Sequence, residues 1–118
     1  MSGPALGGEL SYRRSDHEGE YGELYYQALV GDDVVGCAGV LHAFEGRAAL
    51  ESFLVAVGGD QARRIEDGLM DYLGRDLRRV GVKELAIEAG SLEELLRSER
   101  YRDRIGKDEL GRVVLRLG

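Results

Sequence analysis

Leu54-Val55-Ala56-Val57-Gly58-Gly59-Asp60-Gln61-Ala62-Arg63-Arg64-Ile65-Glu66-Asp67-Gly68-Leu69-Met70 changes its period halfway along. Up to Val57 it is an uncharged apolar run, as a strand covered on both faces requires. After the glycine pair, apolar residues recur at spacings of three and four: Ala62, Ile65, Leu69, Leu73, Leu77 and Val80, with Met70 and Tyr72 beside the stripe. Arg63, Arg64, Asp67, Asp71, Arg75 and Arg78 fall off it, which predicts an amphipathic helix of about five turns. Asp60 is placed to cap its start and Gly81 to stop it. Gly68 and Gly74 each cost a helix about 1 kcal/mol relative to alanine, so they mark irregularity or close packing. The stretch is therefore a strand that passes through a two-glycine turn into a long helix.

Working towards the N-terminus, residues 48–57 carry Glu51 as their one charge. They follow the short turn Glu45-Gly46-Arg47, an apolar run over 34–44, the turn Gly31-Asp32-Asp33 and an aromatic and β-branched run over 21–30. Strands joined by such short turns form an antiparallel meander. A further short strand fits 9–14, and 15–20 reads as a polar loop. The apolar continuity of 34–40 and 53–57 predicts helices on both faces of the centre. Towards the C-terminus, 83–89 alternates Leu85, Ile87 and Ala89 against Glu84 and Glu88 as a strand. Ser91-Leu92-Glu93-Glu94 is a capping box that opens a second helix, ending before Gly106. Residues 112–117 alternate Val113, Leu115 and Leu117 as the last strand. The predicted class is α/β, with a mixed, mostly antiparallel sheet of five to six strands and two helices.

Composition bounds the function. With 16 basic against 22 acidic residues in 118, the formal charge is −6, which argues against nucleic acid as a partner because phosphate rewards a basic face. At 43% apolar the chain supports one core. The expected organisation is a flexible leader over 1–8 and a single domain over 9–118. No run approaches the length of a membrane span, and the first eight residues lack a signal pattern, so no membrane role is expected. One cysteine, Cys37, allows no internal disulfide and reads as intracellular or indifferent to redox state. The expected setting is the cytoplasm, or a viral particle if the chain is a viral accessory protein. His17 and His42 have no ligands at metal spacing, so no metal site is expected.

Over residues 21–117 the order of elements resembles the GNAT superfamily of acyl-CoA N-acyltransferases. In that family a strand ending in an apolar-x-Val pattern enters a glycine-bearing turn, and the amides opening the next helix hold the CoA pyrophosphate. The resemblance implies that Val55 and Val57 orient the thioester, that Gly58 and Gly59 form the turn, and that Arg63 and Arg64 partner the phosphates. Open amides and a helix dipole suit an anion physically. It also implies Glu51 as general base, since a carboxylate in an apolar strand accepts a proton more readily than one in water. Tyr101, in Ser98-Glu99-Arg100-Tyr101-Arg102-Asp103-Arg104-Ile105-Gly106, loosely matches the family's Tyr-x-x-x-Gly-Phe segment and is implied as general acid. On the bland reading, Glu51 lies on an exposed face, and Tyr101 packs its ring on the core with its hydroxyl wet.

The chain departs from the family in two places. Where the family reads Arg or Gln, two residues, Gly, one residue, Gly or Ala, this chain has Gln61-Ala62-Arg63-Arg64-Ile65-Glu66. An arginine and a glutamate replace backbone that must approach phosphate closely. Residues 15–20 are also too few for the family's two acceptor-site helices. The expectation is therefore a structural, binding or assembly module of GNAT-like fold, with no cofactor and with a protein partner or a second copy. The alternative is a small N-acetyltransferase using acetyl-CoA.

Overall fold

The computed structural model describes residues 9–15, 23–42, 46–88 and 99–117. Four strands open the chain: β1 (Leu10–Ser15), β2 (Glu23–Val30), β3 (Asp33–His42) and β4 (Arg47–Val55). Then come α1 (Gly59–Arg79), β5 (Glu84–Ile87), α2 (Glu99–Arg102), β6 (Ile105–Lys107) and β7 (Val113–Arg116). They form one sheet of order β1-β2-β3-β4-β5-β7-β6, antiparallel except for the β4–β5 pair, which α1 joins by crossover.

The predicted class and meander hold, and the expected five to six strands become seven among the described residues. The added strand is β6, three residues paired antiparallel to β7. A segment this short, with glycine at its centre, has no alternation to read. It is defined instead by the turn after it, where the Asp108 side chain accepts hydrogen bonds from the Leu110 and Arg112 amides at 2.9 Å each. The leader, the polar loop after Ser15 and the capping box at Ser91–Glu94 lie outside the described residues.

The apolar stripe of α1 builds the core. Ile65, Leu69, Leu73 and Leu77 are at most 2% exposed and lie against Tyr26, Ala38, Val40 and Leu50. Burying each such side chain stabilises the fold by about 1.5–3 kcal/mol. Val80, counted in the stripe by spacing, is 45% exposed because it stands at the C-cap. Gly81 ends the helix as its sequence position predicts. At φ +94° it lets its own N–H reach the Arg78 carbonyl and the Val82 N–H reach the Leu77 carbonyl, a Schellman closure.

Two expectations change. Asp60 is not the N-cap: the helix begins at Gly59 after an extended Gly58, no side chain caps it, and Asp60 sits in the first turn. There its charge already complements the positive end of the helix dipole. The centre of the sheet is not covered on both faces by described helices: α1 covers one, while on the other Leu54 is 64% exposed and its partner Cys37 is exposed too. Among the described residues, the apolar run on that face consists of small or partly exposed side chains. At one edge of the sheet stands β1, and β2 lies inside it.

Gly68 marks close packing. A β-carbon there would stand 1.8 Å from the Tyr12 hydroxyl, and Tyr12 in turn stacks on Tyr72 with ring centroids 5.7 Å apart. Gly68→Ala is expected to destabilise by about 1–2 kcal/mol, the overpacking cost outweighing about 1 kcal/mol of helix propensity. Adding Tyr12→Ala should reverse the sign of the Gly68→Ala effect in urea melts. Equal effects in both backgrounds would refute the contact.

Candidate functional site

The β4–α1 turn and the second half of β4 hold most of the residues singled out by sequence. A bulge divides β4: Val40 pairs with Leu50 and Gly39 with Ser52, leaving Glu51 as the extra residue. Glu51 and Ser52 are therefore both exposed, between the buried Leu50 and Phe53. Pairing with β5 stops at the same place, with Ile87 opposite Leu50 and the Glu88 amide donating to the Leu50 carbonyl at 3.0 Å. Beyond Leu50, β4 pairs with β3 alone among the described residues.

Val55 and Val57 pack half-buried against the core, so they fix the turn from below. Above them Gly58 and Gly59 are exposed, Gly59 at φ +68°, and a β-carbon on either would meet nothing within 4 Å. The opening amides of α1 have no side-chain cap. Arg63 and Arg64 are exposed on the next turn. Arg63 is turned along the helix, 4.0 Å from Asp67.

Glu51 lies close enough to Tyr25 for its charge to help raise that phenol, whose main cause of shift is a hydrogen bond to Glu23. Both residues belong to the face of the sheet away from α1. Glu51 is exposed.

Tyr101 stands on the other side. It is 1% exposed, which corrects the reading with a wet hydroxyl, and its hydroxyl is directed at Asp67 of α1 at 3.5 Å. Burial first, and the Asp67 carboxylate second, push its phenol up to about 12. Beside it Arg100 is paired with Asp71. Asp67 lies about 12 Å along the helix axis from Gly59, at 1.5 Å per residue. The structure brings Val55, Val57, Gly58, Gly59, Arg63 and Arg64 together. It does not bring Glu51 and Tyr101 together.

Sequence reasoning missed the aspartates of α1. Asp67 and Asp71 read as a solvated face because their partners, Tyr101 and Arg100, come from a distant segment. Asp76 is likewise hidden: it accepts from the fully buried Tyr26 hydroxyl at 2.7 Å and from Arg14 at 2.8 Å. Among the described residues, no three His, Cys, Asp or Glu side chains are grouped to hold a metal. No helix is long and apolar enough to cross a membrane.

No protein-family model matches the chain, and no curated protein matches it. Solved structures do. A GNAT-family acetyltransferase of Staphylococcus aureus Mu50 aligns with TM-score 0.65 over 84% of this chain and 70% of its own, at 14% identity. A Bacillus subtilis acetyltransferase in complex with CoA aligns with TM-score 0.62 over 92% and 99%, also at 14% identity. Elp3 of the archaeon Methanocaldococcus infernus aligns with TM-score 0.68 over 96% of this chain and 30% of that one, at 13% identity. At such identities the likeness is one of fold, and the fold is GNAT-like.

Proposed function

We propose that this chain is a GNAT-fold binding or assembly module that does not transfer an acyl group. The reading rests on the separation of Glu51 from Tyr101: the carboxylate is exposed on the face away from α1, and the phenol is sealed in the core against Asp67. A base that takes the proton of the attacking amine and an acid that protonates the leaving thiolate must converge on one reaction centre. The turn adds support, since Asp60 already complements the helix dipole and would repel a pyrophosphate. The α1-free face, with Leu54 64% exposed, offers apolar area to a protein partner or a second copy, in the cytoplasm or a viral particle.

One observation favours the acetyl-CoA-dependent transferase as a second reading: the amides that open α1 have no side-chain cap, and the glycine pair before them has open space where side chains would stand. Thermal melting with acetyl-CoA separates the two. A ligand at a hundredfold excess over its Kd stabilises by about 2.7 kcal/mol, several degrees for a domain of this size. The expected result is no saturable shift. A saturable shift of several degrees, lost in an Arg63→Glu, Arg64→Glu double variant, would overturn the proposal in favour of the transferase.

A further inference from the structure

On the face of the sheet away from α1, the strands β4, β5 and β7 bring one residue each to the same level: Arg47 beside Glu84 and Glu84 beside Arg116. One level further along, Ala49, Ala86, Val114 and Gly106 are aligned across four strands and leave a floor of small side chains. The β6–β7 turn stands over the far end of this floor. The result is a cavity of about 440 Å³, with an adjoining space of about 260 Å³ sharing Arg47, Glu84, Asp108 and Arg112.

The charges around it are unevenly satisfied. Arg112 is held by Asp108 at 2.8 Å and by Glu88 at 3.3 Å, so it is part of the wall. The backbone N–H and side chain of Arg112, with the Leu110 amide, hold the Asp108 carboxyl below its ordinary value, so Asp108 is charged at neutral pH. Arg47 and Glu84 are 3.6 Å apart and both well exposed. Arg116 donates to the Asp103 carbonyl at 3.1 Å, and among the described residues no carboxylate lies within ion-pair distance of it. Lys107 and Glu109 add one charge of each sign to the rim, so a simple anion entering here meets Glu84, Asp108 and Glu109, and a simple cation meets Arg47, Lys107 and Arg116. Only a ligand carrying both signs a few ångströms apart finds a partner for each, and the small floor leaves space for a compact skeleton.

We propose that this cavity binds a small zwitterion of α-amino-acid type, its carboxylate held by Arg116 and Arg47 and its ammonium turned towards Glu84 and Asp108. The inference does not depend on the proposed function, because none of these residues belongs to the β4–α1 turn.

The test is a nitrogen-15 amide NMR titration of the full chain with L-alanine, L-glutamate and L-lysine, each to about 50 mM, since small zwitterions bind at millimolar levels. Acetate, propylamine and inorganic phosphate serve as single-charge probes. Saturable shifts at the Ala49, Ala86, Gly106 and Val114 amides are expected with at least one amino acid, about tenfold tighter than with any single-charge probe. Arg116→Gln and Glu84→Gln, both at exposed or half-exposed positions, should each weaken binding about tenfold while the spectrum stays folded. The proposal is overturned if no amino acid produces saturable shifts, if acetate or phosphate binds as tightly, or if both variants bind like the parent.

Discussion

Tyr101→Ala is expected to cost about 3–5 kcal/mol of unfolding free energy in urea melts, as for other buried aromatic truncations. Tyr101→Phe should cost less than about 1 kcal/mol, because the hydrogen bond it removes is long, at 3.5 Å. The contrast follows from position: the ring is 1% exposed in the core cluster, whereas the hydroxyl only grazes Asp67. A tolerated alanine would mean that Tyr101 is not the core residue described here. The same burial sets a pH signature. With the phenol raised from 10.0 to about 12, the folded state keeps its proton after the unfolded chain has lost it. Its contribution to stability is therefore complete below pH 10 and falls away as pH rises from 10 to about 12. Tyr26, raised by burial and by its bond to Asp76, acts in the same direction, so the double variant Tyr26→Phe, Tyr101→Phe should flatten the alkaline loss.

Asp76→Ala is the second large effect, at about 2–4 kcal/mol. It strips the acceptor from a Tyr26 hydroxyl that is 0% exposed and removes an ion pair in which Arg14 and Asp76 are 30% and 15% exposed. Asp76→Asn, which keeps an acceptor for Tyr26, should lose about half as much. In a Tyr26→Phe background the cost of Asp76→Ala should shrink by at least about 1 kcal/mol, a coupling that a double-mutant cycle reads directly. Additive losses would show that the two side chains do not share this bond.

The parts of the fold legible in sequence are those written in a local period. The α1 stripe from Ile65 to Leu77 and its stop at Gly81 follow from spacing and from a glycine that needs positive φ. The bulge at Glu51 is a backbone event between β3 and β4, and no side-chain pattern announces it. Gly68 looks like a defect until Tyr12, far off in sequence, is found lying against it. The site residues divide the same way. Gly58, Gly59, Val55 and Val57 are neighbours in sequence and remain so in space. Glu51 and Tyr101 are distant in sequence, and their relation depends on which face of the sheet each occupies.

The two edges of the sheet are unequal: β1 offers six residues and β6 only three. A filament grown by adding sheets head to tail must join the long edge of one molecule to the short edge of the next, leaving half of every β1 unmatched. A two-fold pair matches β1 with β1 at full length and closes after two copies. At that register Arg13 lies opposite Tyr12 and Arg14 opposite Ser11 of the second copy, so no like charges stand directly opposite one another. Unequal edges thus work against open-ended polymerisation and favour a closed pair.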